Sequence, residues 1–227
     1  PVSDTAKDDR SDPVSLPDDA LWPILAAIVT VMVLSLLRPR ELLVLPAWVL
    51  PAGEVILIFA VAANRPRRLS RRAGLLRGLA MGIVAVLVAD ALLATGLLVT
   101  ALIEGGQATN SATELLTAGG IVWLTNVVAF ALLYWLVDGG GELARARGGS
   151  GPVDLAFPQQ LNPELAPRGW RPRFIDYLYL GLTTSMAFSP TDVMPFAPWA
   201  KAAMGLQSSI SLAVLGLVVA RAVNVLS

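Results

Sequence analysis

The sequence predicts an all-α polytopic membrane protein with five spanning helices and one short re-entrant helix. Three observations predict it. The 227-residue chain is 55% hydrophobic and only 15% charged, where an average soluble domain carries roughly 25% charged residues. Its mean hydropathy is +0.65. Its apolar residues gather into long runs instead of alternating with polar ones, and a helix needs about 17–25 such residues to cross hydrocarbon.

Residues 1–20 are polar and acidic, broken by Pro1, Pro13 and Pro17, and read as a solvated tail without the basic start of a signal peptide. The first apolar run, Leu21–Leu37, has 17 residues and carries Trp22 where an interfacial anchor is useful. Arg38-Pro39-Arg40-Glu41 ends it. The second run, 42–63, is interrupted by Pro46 and Pro51 and holds Glu54. The third, 79–103, is the cleanest span, with Asp90 near its centre. These runs make residues 21–120 a three-helix N-terminal membrane region.

Residues 121–227 read as a second region. The run 121–137 carries Asn126 and ends in Tyr134-Trp135 before Asp138-Gly139-Gly140-Gly141. A proline-rich linker, 138–173, follows; Phe157, Leu161, Leu165 and Trp170 imply that it lies on something. The apolar segment 174–188 has only 15 residues, which suits a re-entrant or interfacial helix. The alternative is a crossing that continues through 193–199, bent at Pro190 and Pro195. The last run, 202–226, is long enough to span. If the first four runs cross in turn, the tail, the 64–78 loop and the linker share one side with 13 of the 17 Lys and Arg residues. The charge rule then puts the N-terminus in the cytoplasm. Arg65, Arg68 and Arg71 recur every third residue, but Pro66, Arg67 and Arg72 interrupt them, so they read as a basic loop near anionic lipid.

Composition closes most enzyme chemistries. Cys and His are absent, which removes thiolate, Cys-type zinc, haem-imidazole and Ser-His-Asp chemistry. No phosphate-loop or dinucleotide motif is present. The expectation is a protein that is not an enzyme, takes no cofactor and binds no nucleic acid. Its partners are the bilayer, further copies of itself and inorganic cations. The Arg-over-Lys bias with abundant Ala, Leu, Val and Gly points to a bacterial cytoplasmic membrane.

The candidate functional residues are intramembrane polar groups, each costing roughly 2.5–3.5 kcal/mol at a helix centre if ionised. Glu54, Asp90 and Asn126 form an ion or proton site between helices, or a structural polar cluster. On the last helix Met204, Gln207, Ser208 and Ser211 share one face, which lines a pore or holds a helix–helix contact. Asp192 lies in the sharpest turn signal of the chain, with Thr191, Ser189 and the Thr183-Thr184 pair nearby. It is either a turn brace or a member of a carboxylate ring at a pore mouth.

The succession Tyr177-Leu178-Tyr179-Leu180-Gly181-Leu182-Thr183-Thr184, Asp192-Val193-Met194-Pro195, Gln207 and Val219-Ala220-Arg221-Ala222-Val223 resembles the pore region of two-helix bacterial potassium channels. It covers about 50 of the 227 residues. The whole chain resembles a bacterial multi-pass membrane-protein family carrying Ala-Phe-Ser-Pro-Thr-Asp-x-Met-Pro before its last helix. The channel resemblance implies a pore helix, a pore loop of Thr183, Thr184, Ser189, Pro190, Thr191 and Asp192, an inner helix lined by Gln207, Ser208 and Ser211, and a tetramer. The filter departs from the channel pattern. Its two glycines fall on Ser189 and Thr191, and Pro190 fixes φ between them, so a potassium-type filter is excluded. Channels also keep the linker before the pore helix outside the cell, where the charge rule puts this one inside. Three functions follow as expectations: an oligomeric channel-like pore, a non-conducting membrane scaffold, or a small secondary transporter using Glu54 and Asp90.

Overall fold

The computed structural model describes residues 21–43, 46, 48–63, 72–104, 111–141, 145, 153–186 and 192–226. The acidic tail, most of the basic stretch 64–78, and Ser189, Pro190 and Thr191 lie outside the described residues. The chain is mostly helical. Helices α1 (Leu21–Leu37), α2 (Val49–Ala63), α3 (Arg72–Glu104), α4 (Ala112–Val137), α5 (Pro158–Leu161), α6 (Phe174–Met186) and α7 (Pro198–Leu226) are joined by 3-10 turns at Arg40–Leu42 and Asp138–Gly140. Among the described residues the one departure from an all-α chain is a two-residue antiparallel pair, β1 (Leu155–Ala156) with β2 (Met194–Pro195), in the register Leu155↔Pro195 and Ala156↔Met194.

Three helices among the described residues are long and apolar enough to cross a membrane, over Ala80–Ile103, Ala112–Gly140 and Pro198–Val223. These three candidate spans mark a membrane protein, and the other two expected spans fall on the shorter helices α1 and α2. The first two runs break at Arg38 and at Pro46, leaving helices of 17 and 15 residues. Large apolar side chains such as Phe59, Ile103, Leu212 and Val223 are more than half exposed, as surface turned to lipid requires.

Helix α4 is the centre of the molecule. Of its apolar stretch 72% is buried by the rest of the chain, against 39% for α3 and 28% for α7. Ser111 caps it, accepting a bond from the Glu114 amide at 3.1 Å. Gly139, Gly140 and Gly141, at φ 55°, 77° and 90°, end it in a conformation that residues with a Cβ avoid. One hydrophobic cluster runs from Ala27 to Val218, so the core is continuous across residue 120.

Contacts between helices fix their levels. Helices α4 and α7 run antiparallel: a Cβ at Gly119 would meet Val218 at 2.6 Å, and Asn126 lies beside Ser211. Helix α6 starts beside the end of α4, where Phe174 packs on Trp135 and the Tyr177 hydroxyl bonds Asp138. It runs back along α4 with Gly181 against the Val127 carbonyl, where a Cβ would lie 2.9 Å from the oxygen. At 13 residues it is about 20 Å long. The chain then returns to its starting end, because β2 pairs with β1 and the Leu155 amide bonds Asp138 at 3.2 Å.

Helices α1 and α2 form a hairpin against the same half of the molecule. Gly53 faces Ile83, the residues after α1 reach α3 at Asp90, and α1 packs on α4 and α6. Both contact points on α3 lie in the half of its apolar stretch away from the α3–α4 connection. The turn of the hairpin is thus at the level of Asp90. Asp90 lies fourteen residues before the end of α3 and Asn126 fourteen after the start of α4, so the two share one level.

Candidate functional site

Polar groups collect in three places. The first is the hairpin turn. Arg38 follows α1 and is buried, with Nη1 donating to Asp90 Oδ2 at 2.6 Å. Glu54 on α2 is completely buried, and the Ser35 hydroxyl donates to its Oε1 at 3.4 Å, a long contact for such a pair. Glu54 Oε2 and Arg38 Nε and Nη2 are buried without a hydrogen-bond partner. The structure thus brings Glu54 and Asp90 into one cluster with an arginine that the sequence reading left in a loop. A signal for it exists: a lone Asp in the most apolar run calls for a cation, and Arg38 closes the run two elements earlier.

Asn126 is not part of that cluster. It belongs to the second, which joins α4, α6 and α7. Its Nδ2 donates to Ser211 Oγ at 2.9 Å, while its Oδ1 has no partner. Gln207 is the hub. It accepts from the Tyr134 hydroxyl at 2.7 Å, and its Nε2 donates to the Gly181 carbonyl and to Ser185 Oγ, both at 2.8 Å. Ser208 donates to the Thr184 carbonyl at 3.1 Å. The carbonyls at Gly181 and Thr184 accept side chains of α7, while Thr183 turns its hydroxyl to its own helix at the Tyr179 carbonyl, 2.9 Å away. The polar face of α7 with Gln207, Ser208 and Ser211 therefore points at α4 and α6 within one chain. The exposed face of α7 carries Gly205, Ser209, Leu212 and Gly216 instead.

The third place is the end of α4. Asp138 is buried and accepts from the Tyr177 hydroxyl at 2.6 Å and from the Leu155 amide. Arg145 lies over the Tyr177 ring, 5.2 Å from its centre, and donates to the Asp138 and Trp135 carbonyls. Phe157 packs edge-on against Tyr177 at 5.1 Å and tilted against Trp170 at 5.9 Å. These contacts seat the linker on the entrance of α6, as expected for Phe157 and Trp170, whereas Leu161 and Leu165 are exposed. Asp192, two residues before β2, lies exposed at this end. Ser189, Pro190 and Thr191 of the expected pore loop lie outside the described residues, so the structure describes only Thr183, Thr184 and Asp192 of that set.

Among the described residues no group of three or more Asp and Glu is placed to hold a metal ion. No family model, curated protein or solved structure matches the chain. The likeness to channel pore regions therefore rests on the quoted residues alone.

Proposed function

We propose that this membrane protein forms an oligomeric cation pathway of the pore-loop kind, in a bacterial cytoplasmic membrane. The observation that carries the reading is the course of α6. A 13-residue helix enters beside Asp138, ends level with the middle of α4, and is followed by a strand back at the entrance. Hydrocarbon about 30 Å thick is not crossed by about 20 Å of helix, whereas a re-entrant segment buried against neighbouring helices is tolerated. On this reading α1 and α2 are a second half-depth hairpin, and only α3, α4 and α7 cross. A pathway on an oligomer axis would be lined by the exposed Gly205, Ser209, Leu212 and Gly216 face of α7, and not by Gln207 and Ser211, which bond inside the chain. Asp192 would stand at its mouth, where a ring of carboxylates attracts cations. The Lys and Arg of 64–78 and 138–173 then share the entrance side, which the charge rule assigns to the cytoplasm.

The test is cation flux in liposomes holding the full chain, parent against Asp192→Asn. The expected result is a measurable parent flux, reduced several-fold in the variant with assembly intact. An intact assembly that passes no cation sinks the reading and leaves a non-conducting scaffold.

The Arg38–Asp90–Glu54 cluster favours a second reading, a small secondary transporter with its site at mid-depth, where such sites are built from interrupted helices. Transport of that kind saturates with cation concentration and is lost in Glu54→Gln. Pore flux is unaffected by that change.

A further inference from the structure

The Arg38–Asp90 pair balances one positive and one negative charge, and Glu54 is left over. The charged groups acting on Glu54 are Asp90, from α3, and Arg38, from the end of α1; Ser35 on α1 is its hydrogen-bond partner. With all three ionised the cluster carries one net negative charge away from water, which is costly until that charge is compensated. One monovalent cation cancels it. A proton is the smallest such cation and needs a single oxygen.

The unpartnered atoms define two arrangements. A protonated Glu54 suits the Ser35 hydroxyl, which both donates and accepts. An ionised Glu54 suits the Nε–Nη2 edge of Arg38, the planar fork that takes carboxylates through two parallel bonds. That edge is buried and empty, and Glu54 Oε2 in the same cluster lacks a donor.

We propose that Glu54 is a reversible proton-binding site at the turn of the α1–α2 hairpin, and that losing its proton moves its carboxylate from Ser35 onto the free Nε–Nη2 edge of Arg38. The proton leaves to water, and the guanidinium then bridges Glu54 and Asp90. In that state α2 is tied to α3 through Arg38; with the proton bound, α2 is held to α1 through Ser35. The proposal stands whether or not the protein conducts ions.

The experiment is infrared difference spectroscopy, acid against alkaline, on the full chain in lipid bilayers. A protonated buried carboxyl gives a C=O stretch that a carboxylate lacks. The expected result is one such band that appears reversibly on acidification, is missing in Glu54→Gln, and is displaced in Glu54→Asp should the Gln variant fail to fold. Arg38→Lys keeps the charge and removes the fork, so the band persists to higher pH, with proton affinity raised about tenfold or more for the lost charge-assisted bonds. A band unchanged in both Glu54 variants overturns the site. A midpoint unchanged in Arg38→Lys overturns the move onto the fork.

Discussion

Arg38 closes an apolar run and is followed by Pro39, so the sequence presents it as a loop charge. Its guanidinium is instead buried on Asp90. The energetics of such pairs are asymmetric. Removing one partner strands a buried charge and costs about 3–5 kcal/mol, while replacing both by apolar residues is often neutral. Arg38→Leu should therefore destabilise the protein by that amount in detergent unfolding, and Arg38→Leu with Asp90→Leu should recover most of the loss. A double variant as unstable as the single one would mean that the pair holds α1 to α3 by more than charge balance. Glu54, Asp90 and Asn126 were each legible as buried polar groups because an apolar run makes them conspicuous. Their partners were not, because pairing depends on which faces of which helices meet. Thus Glu54 and Asp90 share a cluster while Asn126 bonds Ser211.

At the scale of the element, α6 depends on close approach. Gly181 lies against the α4 backbone, where a Cβ would come 2.9 Å from the Val127 oxygen and 3.4 Å from the Ala131 Cβ. Backbone cannot give as a flexible side chain can, and overpacking costs about 1–3 kcal/mol. Gly181→Val should lower stability by at least that much and loosen Gln207 from α6. Gly96→Ala, on an exposed turn of α3 with nothing within 4 Å, should leave stability within about 1 kcal/mol of the parent. Equal losses in the two variants would remove the packing argument. Helix α6 itself was legible in the sequence as a short apolar run at 174–188, and the helix found spans Phe174–Met186. For helices α1 and α2 run length is a statement about capacity only. Seventeen apolar residues can cross a bilayer, but α1 ends at Leu37 and Arg38 after it pairs with Asp90 of α3, a contact that run length does not reveal.

For the whole molecule, the proposed course of three crossings and two half-depth hairpins would put the linker, the α6 entrance and β2 on one side, and the α3–α4 connection on the other. Membrane character followed from composition alone. The course of α6 did not, because it is set by long-range contacts such as Tyr177 on Asp138 and β1 on β2. The native chain has no cysteine, so single thiols introduced into it are unambiguous reporters. The most direct test is labelling of Glu164→Cys, Asp192→Cys and Thr113→Cys in sealed, oriented vesicles with a membrane-impermeant thiol reagent. These positions are all exposed. A returning α6 predicts that positions 164 and 192 are labelled from one side and position 113 from the other. Labelling of 164 and 192 from opposite sides would mean that the segment crosses, and would contradict the pore-loop architecture.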